Sequence, residues 1–572
     1  MQHHKSMPIH PRSRNVVPIW CQLTLRAFVL TRGCLAVATL VACAQALPVR
    51  AQAQNAGPGP ARVTSASLPS LGDNSELSAA AERRIGDRIA ASIYRDPDYV
   101  DDPVLVDYLQ GIWQPLMAAA RARGELSAEL QERFAWEIFL IRDRTVNAFA
   151  LPGGYFGVHL GLISTVTNRD ELAAVLGHEM SHVTQRHISR LLTKQTQQAP
   201  WVIGAMILGA LAASKNPQAA SAAIVGGQAA AAQSQLNFSR DMEREADRVG
   251  FGVMVDAGFE ARGVVSMFEK LQQASRLSDN GLFPYLRSHP LSTQRIGEAQ
   301  ARLQLVLSSA SGASKAGSGD ATQALFLHAM MAARARVLTD PGVDVLRPLV
   351  AEAQQFASTS QSTASLLSTD KTPADVRGAE ALYAGALAAA RLRDFALAQS
   401  LVDRLKLLAA SNPGNSGNPE IHQVMELLSL EVDLLAGKVP ATAASINLNQ
   451  AVQRADLLIK ARAVLAAGRA KDVSDRLSTW VTLHPKDAVA WQLLAVAYGN
   501  QNQSVRAIRA DAESRASELD YAGALDRLRA AQSMMRSQPD SADFVEGSII
   551  DTRARQLDLL VKEQALQDKL DR

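Results

Sequence analysis

The stretch AAVLGHEMSHVTQRH, residues 173–187, contains two histidines four residues apart, with a glutamate directly after the first. In a helix each residue advances by about 100°, so His178 and His182 project from the same face and can bind one metal ion. Glu179 can then reach a water at that metal, which is the arrangement of a zinc site with a general base. The same spacing also arises by chance on ordinary helices. His187, nine residues after His178, is predicted to lie on the opposite face.

A catalytic zinc needs a third protein ligand, and the segment NFSRDMEREADRVG, residues 237–250, offers one. Glu243 and Asp247 are four residues apart, so they share a helix face. We predict Glu243 as the third ligand, and Asp247 as a carboxylate that accepts a hydrogen bond from a ligand histidine and fixes its tautomer. Glu245 is rotated by about 200° from Glu243 and is predicted to point elsewhere. The competing interpretation is a solvated, charged helix face.

The elements that must position these residues are mainly helical. Residues 133–164 are the exception: β-branched and aromatic runs are broken by a Pro-Gly-Gly turn at 152–154, which predicts a small sheet. Asn168 or Asp170 is a candidate N-cap for the helix that carries the histidines. Residues 199–233 contain two apolar runs, each too short to span a bilayer, and predict a helical hairpin or lid.

Composition and charge limit the function classes. The chain has 572 residues, of which 47% are hydrophobic and 20% charged, so it is globular and long enough for two or more domains. Its 59 basic and 56 acidic residues nearly balance. There is therefore no electrostatic reason to expect nucleic-acid binding.

Residues 1–53 are predicted to be an export signal. They carry six basic residues, no acidic residue and the short apolar core GCLAVATLVACAQA, followed by small-x-small cleavage sites near residues 46 and 53. All three cysteines lie here, so the mature chain has none for a disulfide. The sequence LVAC also resembles a bacterial lipobox, which leaves lipidation of Cys43 and attachment to the outer membrane as an alternative. The expected location is the periplasm, with at most peripheral membrane contact.

Composition also divides the rest of the chain. We predict a flexible leader at 54–74, a domain that contains the candidate metal site at 75–307, a linker at 308–320 and a helical repeat domain at 321–572.

The repeat domain shows internal repetition. Trp491, Tyr498 and Ala507 fall in the tetratricopeptide pattern, and DFALAQSLVDRL and DYAGALDRLRAA resemble second helices of other repeats. The step from Ala507 to Ala524 is half a repeat, so a generic helical array is the alternative.

Four motifs in order, LPGGYFGVHLGLI, HEMSH, SRDMEREAD and SHPLSTQRI, resemble the zinc metalloproteases related to the CAAX prenyl endopeptidase and heat-shock protease X. The resemblance implies a mainly α fold class, with a zincin-type α+β metalloprotease domain followed by a tetratricopeptide-like repeat domain. It implies one Zn²⁺ per chain, bound by His178, His182 and Glu243, with Glu179 as the base and Asp247 as the supporting carboxylate.

With an export signal in front and repeats behind, the chain resembles the members of that family that act in outer-membrane β-barrel assembly. This implies a periplasmic zinc endopeptidase with a chaperone-like role in quality control and assembly of outer-membrane proteins. The expected partners are unfolded or misassembled outer-membrane proteins and, through the repeat domain, the barrel-assembly machinery. The alternative is mainly a tetratricopeptide chaperone or adaptor whose protease is weak or latent.

Substrate is expected to lie extended along the strand around NAFALPGGYFGV and to pair its backbone with an open sheet edge. The candidate contacts are Asn147, Phe149, Gly153 and Tyr155.

Three other side chains have open roles. Arg240 and Arg295 can anchor a ligand carboxylate or the substrate, and structural salt bridges are the equal alternative. His289, in RSHPL, has three alternatives: it fills the metal's open position in a resting state, it stabilises the oxyanion, or it only fills space.

Overall fold

The computed structural model describes seven ranges, all within one compact unit of residues 69–572: residues 77–194, 239–276, 283–309, 318–358, 372–439, 441–537 and 543–570. The predicted export signal, the flexible leader and the apolar hairpin at 199–233 lie outside these ranges. Among the helices within them, none combines the length and apolar composition needed to cross a bilayer.

The metal-site half contains a small mixed sheet surrounded by helices. The strands are β1 (Tyr99–Val100), β2 (Glu137–Ile141), β3 (Ala148–Leu151) and β4 (Tyr155–His159). Their order is β1-β2-β4-β3, with β2 parallel to β4 and β3 antiparallel to it. This confirms the predicted small sheet within residues 133–164, and it leaves β3 as an edge strand.

Ten helices of the described ranges belong to this half. They are α1 (Ala79–Tyr94), α2 (Pro103–Ala122), α3 (Ala128–Arg133), α4 (Leu160–Thr165), α5 (Arg169–Thr184), α6 (His187–Lys194), α7 (Arg240–Asp256), α8 (Arg262–Arg276), α9 (Tyr285–Ser288) and α10 (Thr293–Ser309). Of the two candidate caps for α5, Asn168 is the one used: its side chain accepts a hydrogen bond from the amide of Glu171 at 2.9 Å.

The second half is helical throughout its described residues, apart from connecting turns. Its α-helices are α11 (Ser318–Thr339), α12 (Val343–Ser358), α13 (Ala374–Arg391), α14 (Phe395–Ser411), α15 (Pro413–Ser416), α16 (Pro419–Leu435), α17 (Arg454–Ala466), α18 (Ala470–Leu483), α19 (Ala488–Gly499), α20 (Ser504–Ser517), α21 (Tyr521–Ser537) and α22 (Phe544–Leu570). Helices α17, α19 and α21 start at intervals of about 34 residues, the period of a helical repeat array. The predicted fold class, a mainly α protein with a small-sheet metalloprotease part and a helical array, is confirmed.

The two halves pack directly against each other. Helix α11 contacts α4 and α2, and α17 contacts α2. One continuous set of buried apolar side chains runs from Ala79 in α1 to Ile459 in α17. The predicted linker lies mostly outside the described ranges, and its described ends are helical, since α10 reaches Ser309 and α11 begins at Ser318.

Buried polar contacts fix this packing. The guanidinium of Arg334 in α11 makes a bidentate contact with Asp102, the N-cap of α2, at 2.6 and 2.7 Å, and a second with Glu431 at 2.7 and 2.8 Å. His328, six residues earlier in the same helix, forms hydrogen bonds through both ring nitrogens, one with the hydroxyl group of Tyr108 and one with the carbonyl oxygen of Val166. Because Asp102, Tyr108 and Val166 lie in the metal-site half, the contacts with them hold the two halves in one arrangement.

Candidate metal centre

The site is built where helices α5 and α7 cross at very short distance. A Cβ placed on Gly250 would lie 2.9 Å from the carbonyl carbon and oxygen of Gly177 and from the amide nitrogen of His178. Glycine at both positions therefore lets the two backbones touch. That contact brings the carboxylates of α7 beside the histidines of α5.

Four side chains converge at this crossing. One ligand atom from each of His178, His182, Glu243 and His289 lies within 4.8 Å of all the others, and all four side chains are buried. The Nε2 atoms of His178 and His182 are 3.0 Å apart, and those atoms lie 3.6 and 3.4 Å from the carboxylate oxygens of Glu243. The three predicted ligands are thus brought together, with their donor atoms facing one point.

The fourth group is His289, which follows the short helix α9. Its Nδ1 is 2.9 Å from Oε1 of Glu243 and 3.3 Å from Nε2 of His178. Its Nε2 is 3.5 Å from Oε1 of Glu179. His289 therefore sits among the ligand atoms themselves, in contact with both a predicted ligand and the predicted base.

Asp247 and Arg295 support the ligand carboxylate and one ligand histidine. Oδ1 of Asp247 is 3.0 Å from Nδ1 of His178, while Arg295 contacts Asp247 through Nε and Nη2 at 2.6 and 2.8 Å and Glu243 through Nη1 at 2.7 Å. Burial alone would raise the pKa of Asp247, but hydrogen bonds from Arg295 and His178 hold that pKa well below its usual value. An ionised Asp247 keeps the proton of His178 on Nδ1, which leaves Nε2 free to ligate. Arg295 thus anchors two carboxylates, one of its alternative roles.

Glu179 is completely buried beside the ligand atoms. Burial raises the pKa of its carboxyl group above the usual value. Within the described residues, neither of its oxygens has a hydrogen bond of good geometry. A buried carboxylate without such a bond is costly unless a cation, water or substrate completes the site. The donor set of two or three imidazoles and one carboxylate fits a metal ion of the zinc type.

His187 corrects one sequence prediction. Helix α5 ends at Thr184, Arg186 adopts a left-handed conformation (φ 56°), and α6 begins at His187, so the assumption of one continuous helix was wrong. His187 therefore turns back, and its Nδ1 lies 2.9 Å from Nδ1 of His182. Its Nε2 lies 3.0 Å from Oε2 of Glu245, which points away from the ligand atoms of Glu243 and toward α6.

The remaining candidates lie in different surroundings. Arg240 is exposed at the start of α7, with no ion pair among the described residues. Asn147 and Phe149 lie at the edge strand β3. Gly153 lies in the turn against Arg83 of α1, and Tyr155 is buried in β4, with its hydroxyl group donating to Asp87 at 2.7 Å.

This placement matters for the predicted substrate strand. Strand β4 is paired on both sides, by β2 and β3, so a substrate backbone has no free pairing edge there. Pairing with an extended peptide is left to β3, beside Asn147 and Phe149.

Sequence reasoning missed three contributors. Gly177 and Gly250 permit the helix crossing, and only the three-dimensional approach of α5 and α7 identifies them. Tyr285 stacks on His289, with ring centroids 4.7 Å apart, and it lies in a segment with no strong pattern of its own.

Comparison with known proteins agrees with this geometry. Residues 109–303 match Peptidase family M48, so the fold and the site define a metallopeptidase domain of that family within this chain. All four motifs lie within the matched residues, so the metallopeptidase that they predicted is confirmed for this part of the chain.

Two bacterial relatives carry a more specific name. A protein of Vibrio cholerae, provisionally named beta-barrel assembly-enhancing protease, is 35% identical over 237 residues, which are 41% of this chain and 47% of that protein. The beta-barrel assembly-enhancing protease of Escherichia coli is 32% identical over 241 residues, with the same two shares. The chain thus spans about half the length of these curated relatives. The mitochondrial metalloendopeptidase OMA1 of Arabidopsis thaliana is 32% identical over 164 residues, covering 29% of this chain and 31% of that protein.

Proposed function

We propose that this protein is a zinc-dependent endopeptidase. The observation that carries the proposal is the convergence of His178, His182 and Glu243 within 4.8 Å, with the buried carboxylate of Glu179 beside them. Two imidazoles and one carboxylate from the protein are the ligand set of a catalytic zinc site that keeps a position for water or substrate.

The proposed chemistry divides between the metal and the protein. A zinc ion, when bound, supplies Lewis-acid chemistry that polarises a peptide carbonyl and makes water acidic near neutral pH. Glu179 accepts the proton of the attacking water and delivers it to the leaving amine nitrogen. The raised pKa of Glu179 suits both transfers, because a base that must also act as an acid works best with a pKa nearer the working pH. Asp247, held by Arg295, keeps the ring of His178 oriented throughout.

The substrate is proposed to be an extended or unfolded polypeptide. Among the described residues, edge strand β3 has no strand partner on one side, and β3 packs against α5, the helix that carries Glu179. Pairing with β3 would align a peptide along the site without a demand for particular side chains. A folded protein keeps most of its backbone paired, so pairing with β3 favours unfolded or misfolded clients.

We further propose that the clients are outer-membrane β-barrel proteins in the periplasm and that the helical array, of tetratricopeptide type, contacts the barrel-assembly machinery. The support is the name of the bacterial relatives, the predicted export signal and the repeat period of about 34 residues in α17 to α21.

A second candidate function has its own observation. His289 belongs to the same cluster as the three ligands, so four protein groups already fill the ligand set. A site closed in this way fits a chaperone or adaptor whose protease is latent until His289 is displaced. The change in basal cleavage rate caused by His289→Ala distinguishes the two functions.

The proposal is tested with Glu179→Gln and Glu243→Gln, compared with Asp241→Asn as the matched control. Asp241 is exposed on the same turn of α7 and pairs only with Arg244 among the described residues. We expect wild type, Glu179→Gln and Asp241→Asn to contain about one zinc per chain by elemental analysis, and Glu243→Gln to lose most of it.

The cleavage assay uses an unfolded outer-membrane protein as substrate. Glu179→Gln should lose about 10²- to 10⁴-fold in rate while it keeps its zinc. Cleavage by Glu179→Gln at the wild-type rate would refute the mechanism. Wild type that holds zinc and suppresses aggregation but cleaves nothing would favour the adaptor function.

A further inference from the structure

Each ligand histidine has a second ring nitrogen that points away from the metal site. For His178 this atom is Nδ1, and the carboxylate of Asp247 lies 3.0 Å from it. For His182 the atom is also Nδ1, and among the described residues it faces Nδ1 of another imidazole, that of His187, at 2.9 Å.

His187 in turn contacts a carboxylate. Its Nε2 lies 3.0 Å from Oε2 of Glu245, and Glu245 is also 3.1 Å from the guanidinium of Arg190. The ring of His187 is fully buried, whereas one third of the Glu245 side chain is exposed. The result is a chain of three side chains that starts at the surface and ends at a metal ligand.

The proton positions follow from the carboxylate of Glu245, the end of this hydrogen-bonded series that has no proton to donate. A carboxylate beside an arginine only accepts, so His187 must donate from Nε2. The neutral ring of His187 then has a lone pair on Nδ1, which accepts the proton of His182 on Nδ1. This leaves the lone pair of His182 on Nε2, which faces His178 and Glu243.

We propose that His187 and Glu245 form a hydrogen-bonded chain that fixes the tautomer and ring orientation of His182, so that both are positioning residues of the metal site. Helix α7 then contributes three side chains to the site. Glu243 ligates the metal, Asp247 orients His178, and Glu245 orients His182 through His187. The break between α5 and α6 is what makes the chain geometrically feasible. The inference rests on the metal binding proposed above.

The test measures metal affinity rather than cleavage. Zinc binding is followed by competition with a chromophoric chelator, and the ligand geometry by the visible absorption of the Co²⁺-substituted protein. Groups that orient a ligand histidine typically contribute about 10- to 100-fold to metal affinity. We expect a loss of this size in His187→Leu and a smaller loss in Glu245→Ala, since water can replace the partly exposed carboxylate.

Three comparisons separate positioning from general destabilisation. His187→Gln restores one acceptor and one donor, so it should recover most of the affinity lost in His187→Leu. His328→Gln is the matched control, a buried histidine of helix α11 with the same substitution, and should bind zinc like wild type. A shift of the Co²⁺ absorption at saturating metal is expected for His187→Leu and not for the control.

The outcomes are distinct. If wild type binds neither metal, the proposed function fails and this inference fails with it. If wild type binds and folded His187→Leu has the same affinity and Co²⁺ spectrum, only this inference is overturned. If His187→Leu does not fold, Glu245→Ala decides, and wild-type affinity with an unchanged spectrum in that variant overturns the inference.

Discussion

His328 gives the clearest prediction for stability against pH. The ring is buried between the two halves of the molecule: the hydroxyl group of Tyr108 in α2 lies 2.6 Å from Nδ1, and Nε2 lies 2.9 Å from the carbonyl oxygen of Val166. A carbonyl only accepts, so Nε2 carries the proton and Nδ1 accepts from Tyr108. Burial disfavours the charged ring, so Nδ1 stays unprotonated near neutral pH, and a second proton would require the Tyr108 hydroxyl group to change from donor to acceptor.

The magnitude follows from the pKa. Burial lowers the pKa of His328 from 6.5 to about 4. The unfolded chain takes up a proton near pH 6.5, while the folded protein does not until about pH 4. The contribution to stability is therefore complete above pH 6.5 and is lost as the pH falls toward 4. At about 1.4 kcal/mol for each unit of pKa difference, the total loss is about 3 kcal/mol.

The assay is urea unfolding at several pH values between 7 and 4, with wild type beside His328→Gln. Glutamine offers one donor and one acceptor but does not titrate in this range. The free energy of unfolding of wild type should fall by about 3 kcal/mol more than that of the variant across this interval. His484→Gln is the matched control at an exposed histidine. If wild type and His328→Gln fall in parallel, the buried ring is not neutral and the reasoning is refuted.

Three further predictions concern the helix crossing, the contact between the halves and the metal site. Gly250→Ala should destabilise the protein by about 1 to 3 kcal/mol in thermal unfolding, because its Cβ would lie 2.9 Å from the backbone of α5. Gly111→Ala is the control: open space surrounds this position, so alanine should stabilise α2 by up to about 1 kcal/mol. Arg334→Ala removes the shared cation of the buried Asp102 and the partly buried Glu431 and should cost about 3 to 5 kcal/mol in urea unfolding. Arg336→Ala, at a partly exposed ion pair of the same helix, should cost less than about 1 kcal/mol. His289→Ala should raise basal cleavage at matched zinc occupancy if the ring closes the site, and imidazole should partly reverse the gain. A fall of about 10²- to 10³-fold would instead indicate stabilisation of the oxyanion.

The sequence by itself determined the centre of the site. A helix fixes the direction of side chains four residues apart, so the spacings of His178 with His182 and of Glu243 with Asp247 each required a shared face. Each pair needed only a helix around it, and the structure has α5 and α7 at those places. A second local pattern, β-branched and aromatic runs broken by the turn at 152–154, predicted the small sheet, whereas the structure shows that β3 is its edge.

The helical spacing rule predicts side-chain direction only within one continuous helix. The helical phase predicts His187 on the far face, because no local pattern indicates that α5 stops at Thr184. One residue in the left-handed conformation, Arg186 with φ 56°, is enough to turn the ring of His187 back to His182. Glu245 points away from Glu243, as its phase requires, but α6 lies on that side and makes the position useful.

Tertiary structure alone decided which groups meet. Gly177 and Gly250 are 73 positions apart in the sequence and become informative only when the two helices touch. His289 enters the ligand set, and His328 and Arg334 join the helical array to the metallopeptidase half, through contacts between residues far apart in the chain. Periodicity and spacing report the neighbours of a residue along one element, whereas the partners of a buried charge or ring depend on how the elements pack, which these local patterns do not encode.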